Sequence, residues 1–269
     1  MAAATTALDT APEVLQPTSE QKAIEAFGDG ADVTVLGGGT IVVPDITYGY
    51  LKPTRVLMLA KAGLAGISKE GSRTTIGATT PVQDLVELPA PIGPCAANVA
   101  DVEIRSQGTL GGNLCAGQGH DAPRGDLQAA LIAVGATVRS TGAGGERTEP
   151  VEDFLAGRDR RLVLDVSFEE PQTGAYAPLD RTHTHDYTAL AVAAARTAGG
   201  ETRLAATGVA GPATRLAAAE DKADDPEAAG AAALEGLTFA DDALASAWYR
   251  EKTLPVLVRR ALTQLQEAS

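Results

Sequence analysis

Ile104-Arg105-Ser106-Gln107-Gly108-Thr109-Leu110-Gly111-Gly112-Asn113 is the stretch on which the reading of this chain turns. Three glycines fall within the five positions from Gly108 to Gly112, with Thr109 and Asn113 beside them. A connecting turn does not need that density. Glycine lets main chain approach a ligand closely and adopt positive φ, so successive N–H groups can form a concave nest for an anion. The short polar side chains of Thr109 and Asn113 would face the same surface.

A second cluster lies upstream. Asp32-Val33-Thr34-Val35-Leu36 reads as a buried strand that runs directly into Gly37-Gly38-Gly39-Thr40. The usual phosphate-binding fingerprints do not fit it. A dinucleotide motif needs Gly-x-Gly-x-x-Gly, but Val42 stands where the third glycine belongs, and no acid lies near Leu59 to hold a ribose. A Walker A loop needs Gly-Lys-Ser or Gly-Lys-Thr, and the chain has neither. Taken alone, this cluster leaves a bare turn and a ligand loop equally open.

Composition sharpens the question. The net charge is −13 over 269 residues, which disfavours nucleic acid and anionic membranes as partners. It also opposes any phosphate ligand, so such a ligand must be held by local dipoles. Two cysteines are too few for a Cys₄ cluster, and three histidines make a metal constellation hard to build. No N-terminal signal pattern and no long apolar run is seen, so a cytoplasmic protein without membrane insertion is expected.

Around the two clusters, the pattern predicts a helix from Pro17-Thr18-Ser19-Glu20 to Phe27 and strands at Arg55–Leu59 and Thr74–Ala78. Further helices are expected from Thr80 to Leu88, from Pro94 to Val102 and from Asp126 to Val134. Strands are expected at Ala136–Arg139, Arg161–Phe168 and Arg203–Val209. Gly174–Arg196 should hold a strand and an alanine-rich helix, and Leu216–Ala247 should be helical. A final helix carries Leu254, Leu257, Val258, Ala261, Leu262 and Leu265 on one face. The Glu-Glu-Pro turn between Phe168 and Thr173 suggests a domain boundary.

Order and spacing of the motifs carry a family resemblance. Gly-Gly-Gly-Thr after a strand, Ile76-Gly77-Ala78-Thr79-Thr80, and the stretch 104–113 together resemble the FAD subunits of the xanthine dehydrogenase and carbon monoxide dehydrogenase family. Tyr249-Arg250 and Leu257-Val258-Arg259-Arg260-Ala261-Leu262 are similar to that family's C-terminal domain, so the likeness covers nearly the whole chain. It implies an α+β fold. A PCMH-type FAD-binding domain would span residues 1–168, with a small α/β lobe over about 1–60 and a larger mixed-sheet lobe over 61–168. A C-terminal domain of antiparallel sheet and helical bundle would span 169–269.

The resemblance also implies roles. Leu36, Gly37, Gly38, Gly39, Thr40 and Ile41 would wrap the FAD pyrophosphate from one side, and Thr109, Leu110, Gly111, Gly112 and Asn113 from the other. Thr79 would touch the cofactor or support its loop. An aspartate would bond the sugar or ribityl region. Asp126 is preferred because a helix start holds its carboxylate in place, and Asp121 is its rival. Family members often place a lysine near Tyr176, where this chain has Ala177. Tyr176 and Arg181 are weak substitutes. Arg105 is read as a tie between loops, Cys115 as apolar packing, His183 and His185 as surface or partner contacts, and Trp248 and Tyr249 as core or interface packing.

In function, the resemblance implies an electron-transfer subunit with no catalytic acid, base or nucleophile of its own. A large molybdenum-cofactor subunit would oxidise the substrate, and a small subunit would carry two [2Fe–2S] clusters. The assembly would be a dimer of heterotrimers. FAD would deliver electrons to an external acceptor, whether NAD, oxygen, quinone or a carrier protein. Two alternatives come from other classes. One is a free-standing FAD-dependent reductase on the same fold, resembling the reductase of peptidoglycan precursor synthesis, which needs its own substrate pocket and proton donor. The other is a non-catalytic globular protein whose glycine loops are turns. A bound yellow chromophore excludes the second, and co-purification with a molybdenum subunit separates the other two.

Overall fold

A computed structural model of the chain describes residues 11–117, 125–179 and 188–268. The first sheet is built from β1 (Glu13–Leu15), β2 (Val33–Leu36) and β3 (Arg55–Met58), with α1 (Glu20–Phe27) and α2 (Val42–Thr47) between them. Its strands lie in the order β1-β3-β2, all parallel. The opening of α1 follows its sequence: the Ser19 hydroxyl accepts from the Lys22 N–H at 3.3 Å, and Ala23 and Phe27 turn inward.

The second sheet takes β4 (Ile67–Glu70) and β5 (Arg73–Gly77). It is completed by β6 (Thr137–Gly142), β7 (Arg147–Pro150) and β8 (Arg161–Glu169), in the order β4-β5-β8-β6-β7. Every pairing in it is antiparallel, so this larger sheet is not mixed in direction. Between β5 and β6 run α3 (Ile92–Ala97), α4 (Val102–Gln107), α5 (Leu110–Cys115) and α6 (Leu127–Ala133), and α7 (Val151–Ala156) precedes β8.

Two helices expected here take other forms. The segment from Thr80 to Leu88 makes only a short 3₁₀ turn at Val82–Leu85. The Thr80 hydroxyl is not free to cap it, because it accepts from the Gly66 N–H at 2.9 Å and contacts the Gly66 carbonyl at 3.1 Å. The single helix expected over Pro94–Val102 is split into α3 and α4. The Asp101 carboxylate starts a new helix by accepting from the Ile104 N–H at 2.8 Å.

The third sheet is antiparallel: β9 (Thr173–Pro178), β10 (Ala191–Arg196), β11 (Thr202–Thr207) and β12 (Thr214–Arg215), in the order β12-β11-β10-β9. After it come α8 (Ala217–Glu220), α9 (Pro226–Ala232) and α10 (Ala247–Glu267). Here the expected alanine-rich helix before Arg196 is overturned, because Ala191-Val192-Ala193-Ala194-Ala195 is strand β10. Its residues alternate between two cores. Ala191, Ala193 and Ala195 join the core that holds α6, while Val192 and Ala194 join the core under α10. A strand covered on both faces loses the polar alternation that would mark it in sequence. Small side chains let both helices approach, and tertiary packing overrides alanine's helical preference.

The predicted face of α10 holds. Leu254, Leu257, Val258, Ala261, Leu262 and Leu265 are all buried. Trp248 and Tyr249 do not enter the core and are 66% and 45% exposed. The helical stretch expected from Leu216 to Ala247 is only α8 and α9, with irregular chain from Gly236 to Ser246.

One charged network ties α1 to the second sheet. Arg139 on β6 donates to both Glu20 carboxylate oxygens, at 2.7 and 3.0 Å, and to Asp165 on β8 at 2.6 Å. The hydrogen bonds from Arg139 hold the Glu20 carboxyl below its ordinary 4.5. A lowered carboxyl stabilises the fold above its unfolded pKa, and that stability is lost as pH falls through the folded value. Glu20→Gln should therefore cost about 0.5–1 kcal/mol at pH 7, kept small because Glu20 is 38% exposed. Urea unfolding at stepped pH should show this cost shrinking below pH 4.5, and a cost constant across that range would refute the linkage.

Candidate flavin site

The two glycine bends touch. A Cβ on Gly38 would sit 1.8 Å from the Gln107 carbonyl oxygen and 3.0 Å from the Gly108 Cα. A Cβ on Gly37 would sit 2.7 Å from the Thr109 hydroxyl oxygen. These two glycines are therefore required by packing of one bend on the other, before any ligand is considered. Gly39 needs glycine for a different reason, its φ of +77°.

Both bends open onto one cavity of about 390 Å³, within the range of small-molecule sites. Gly37, Gly38, Gly39, Thr40 and Ile41 line it from the end of β2. From the other side come Thr109, Gly111, Gly112, Asn113 and Asp126. Three of the anticipated residues do not line it. Leu36 ends β2, and Leu110 is fully buried beneath the second bend. Thr79 supports its loop, its N–H donating to the Leu64 carbonyl at 2.9 Å. Asp121, Arg181, His183 and His185 lie outside the described residues.

The bends contribute differently. No described residue accepts from the main-chain N–H groups of Gly37, Gly38, Gly39, Thr40 or Ile41. Five successive donors on residues that line a cavity are available to an anion placed there. In the second bend the amides are already used: Leu110 N–H donates to the Thr80 carbonyl at 2.9 Å and Gly111 N–H to the Ala78 carbonyl at 2.8 Å. Gly112 N–H donates to the Thr109 hydroxyl at 3.2 Å. The two bends are thus unequal, and the amides that the second cluster's glycines were expected to offer a ligand are engaged within the protein. The second bend is the first turn of α5, and its glycines keep that wall thin. Gly112 is exposed, and only the Thr109 hydroxyl, at 3.0 Å, stands near where its Cβ would be.

Asn113 and Asp126 are joined. The Asn113 side-chain carbonyl accepts from the Leu127 N–H at 2.9 Å, and its amide lies 3.5 Å from an Asp126 carboxylate oxygen. Asp126 is 6% exposed, and the Cys95 thiol donates to its carbonyl at 3.2 Å. Asn113 thus aligns α6 so that the Asp126 carboxylate stays at the cavity edge.

The remaining side chains sort by their contacts. Arg105 ties loops together as expected, donating to Gln83 at 3.0 Å and to the Val99 and Ala100 carbonyls at 2.9 and 3.0 Å. Tyr176 and Ala177 are buried on opposite faces of β9 and do not line the cavity. Cys115 does line it, and burial pushes its thiol up to about 11 despite the nearby Arg158 cation. Among the described residues no group of three or more His, Cys, Asp or Glu could hold a metal, and no helix is long and apolar enough to cross a membrane.

Sequence reading missed two residues. Gln128 on α6 donates to the Leu114 and Ala116 carbonyls at 2.8 and 3.2 Å and accepts from the Ala213 N–H at 3.0 Å, clamping α5 to the third sheet's edge. A lone Gln in an apolar helix is its only trace in sequence. Arg158 lines the cavity, and nothing in its Gly-Arg-Asp-Arg-Arg surroundings marks it out.

The donor set and glycine contacts fit a dinucleotide diphosphate, and the chain belongs to the family described as the FAD binding domain in molybdopterin dehydrogenase, which matches residues 8–168. It is 29% identical over 274 residues to the carbon monoxide dehydrogenase medium chain of Hydrogenophaga pseudoflava, covering 91% of this chain and 94% of that one. It is 25% identical over 273 residues to the nicotine 6-hydroxylase medium subunit of Paenarthrobacter nicotinovorans, covering 92% and 95%. Its structure superposes on a chain of reconstituted CO dehydrogenase from Oligotropha carboxidovorans with a TM-score of 0.85 at 26% identity, covering 98% and 100%.

Two outcomes follow from this geometry. Gly38→Ala should destabilise the fold by about 1–3 kcal/mol or more, because the methyl meets a carbonyl that cannot retreat. Gly112→Ala should cost well under that, and equal thermal shifts for the two would show that the bends are not in contact. Cys115 should stay unreactive to iodoacetamide at pH 8 and gain reactivity as pH nears about 11. Rapid labelling at pH 8 in the folded protein would contradict that raised value.

Proposed function

We propose that this chain is the FAD-carrying electron-transfer subunit of a heteromeric molybdenum hydroxylase. In this reading it takes electrons from [2Fe–2S] clusters of a small partner and passes them to an external acceptor. A large partner holds the molybdenum cofactor and oxidises the substrate. The observation that carries the reading is the row of five main-chain amides, Gly37 to Ile41, that have no acceptor among the described residues and belong to residues lining the same cavity as the second bend. Two further facts support it: the family match over residues 8–168 and relatives named as the medium chain of carbon monoxide dehydrogenase and the medium subunit of nicotine 6-hydroxylase.

The site residues take these roles. Main-chain N–H groups of Gly37, Gly38, Gly39, Thr40 and Ile41 hold the diphosphate by dipoles, so the acidic surface need not supply a lysine. Thr109, Gly111, Gly112 and Asn113 form the opposing wall, and Asp126 accepts from a hydroxyl of the cofactor's sugar or ribityl chain. Bound there, FAD supplies the exchange between single-electron uptake and two-electron release. The apolar residues Val35, Leu59, Val82 and Val99 exclude water from the same cavity. Val43, Ile46, Tyr48 and Tyr50 lie exposed just after the first bend, as a surface that meets another subunit would be.

The same reading places the division of the chain after residue 168, where the family match ends and before β9 begins a separate sheet. It places the assembly, a dimer of heterotrimers, in the cytoplasm. Medium-chain relatives covered over nine-tenths of their length favour a subunit over a free-standing reductase.

Purified with its partners, the protein should carry one FAD per chain, seen as flavin absorbance released on denaturation. Gly112→Asp places a carboxylate against the diphosphate without touching the core, and should abolish flavin content while leaving far-UV circular dichroism intact. Stoichiometric FAD in that variant would defeat the assignment, as would a colourless native assembly.

A further inference from the structure

The cavity holds two arginines, and they differ. Arg161 is fully engaged: its guanidinium donates to the Ser140 hydroxyl and carbonyl and to the carbonyls of Ala143 and Gly145, at 2.8 to 3.3 Å. Arg158 is not. It is 9% exposed, and among the described residues its one hydrogen bond runs from Nη1 to the Leu155 carbonyl at 2.9 Å. Its Nε is buried with no hydrogen-bond partner among the described residues. No carboxylate among the described residues pairs with it. The neighbouring Cys115 is no counterion, since burial keeps it a neutral thiol at pH 7.

An arginine stays protonated even when buried. Taking such a charge out of water without a partner is costly, so it persists in a fold where an anion meets it. The acidic groups lining the cavity, Asp45 and Asp126, are fixed on α2 and at the start of α6. Among the described lining residues Arg158 is the one cation with nitrogen atoms to spare. The only group of FAD that is anionic in every redox state is its diphosphate.

We propose that Arg158 is a binding residue of this cavity, its guanidinium meeting the FAD diphosphate as the charged complement to the neutral amides of the first bend. This rests on the FAD reading above and adds a residue to it. The neutral nest supplies geometry and Arg158 supplies the full positive charge. Ligands with the diphosphate should therefore gain from Arg158, and ligands lacking it should not.

The test uses wild-type, Arg158→Gln and Arg158→Lys proteins stripped of flavin, with FAD, ADP and adenosine titrated by calorimetry. ADP and adenosine share a base and a ribose, so damage to the fold would weaken both alike. Arg158→Gln should raise the Kd of FAD and ADP about tenfold to a hundredfold, the effect of losing hydrogen bonds from a charged donor, and leave adenosine unchanged. Arg158→Lys should recover part of the loss. Raising salt should weaken ADP binding to the wild type more than to Arg158→Gln. Unchanged affinity for ADP in the glutamine variant overturns the proposal, as does an equal loss for ADP and adenosine. In either case wild-type FAD binding would leave the broader reading standing. Absence of FAD binding to the wild type would instead remove that reading.

Discussion

The contact between Gly38 and the Gln107 carbonyl is what the rest of the site depends on. It sets one strand-end bend directly against the residue that leads into the other, at a spacing no side chain permits. Because the two bends lean on each other, the cavity is defined by the fold and does not wait for a ligand to draw its walls together. That preorganisation lowers the entropic cost of binding. It also explains an economy of charge: with geometry fixed, neutral dipoles can do most of the holding in a protein of net charge −13.

Behind that contact the scaffold is layered. The second bend is held from below by carbonyls of Ala78 and Thr80, which follow β5. Asn113 connects it to α6, and Gln128 connects α6 to the strand-bearing region after residue 173. Each of these links is a hydrogen bond from or to a buried group, where an unmade partner is expensive. The cavity wall, the helix behind it and the third sheet thus form one continuous path of satisfied polar groups through an apolar core.

Much of this was legible in sequence, for identifiable reasons. The glycine clusters are legible because sterics forces glycine at close approaches. The caps at Ser19 and the face of α10 are legible because side-chain period and hydrogen-bonding chemistry are local. What escaped was set by distant neighbours. Ala191 to Ala195 reads as helix because alanine prefers helix locally, yet α6 and α10 press on both of its faces. Thr80 reads as a helix cap, yet Gly66 claims its hydroxyl. The amides of Gly111 and Gly112 read as free donors because sequence cannot show that Ala78 and Thr109 already occupy them. Arg158 was invisible for the same reason, since burial without a counterion is a property of surroundings.

The two-sided burial of β10 bears on how the molecule can be divided. Every residue of α6 from Leu127 to Ala133 is buried, and part of its cover is the inner face of β10 and β11. A fragment ending at residue 168 would leave that helix with a bare greasy flank, inviting self-association rather than folding on its own. The region beyond 168 therefore covers the interior as well. The inner face of the alanine strand thus backs the very helix whose start carries the aspartate on the cavity rim.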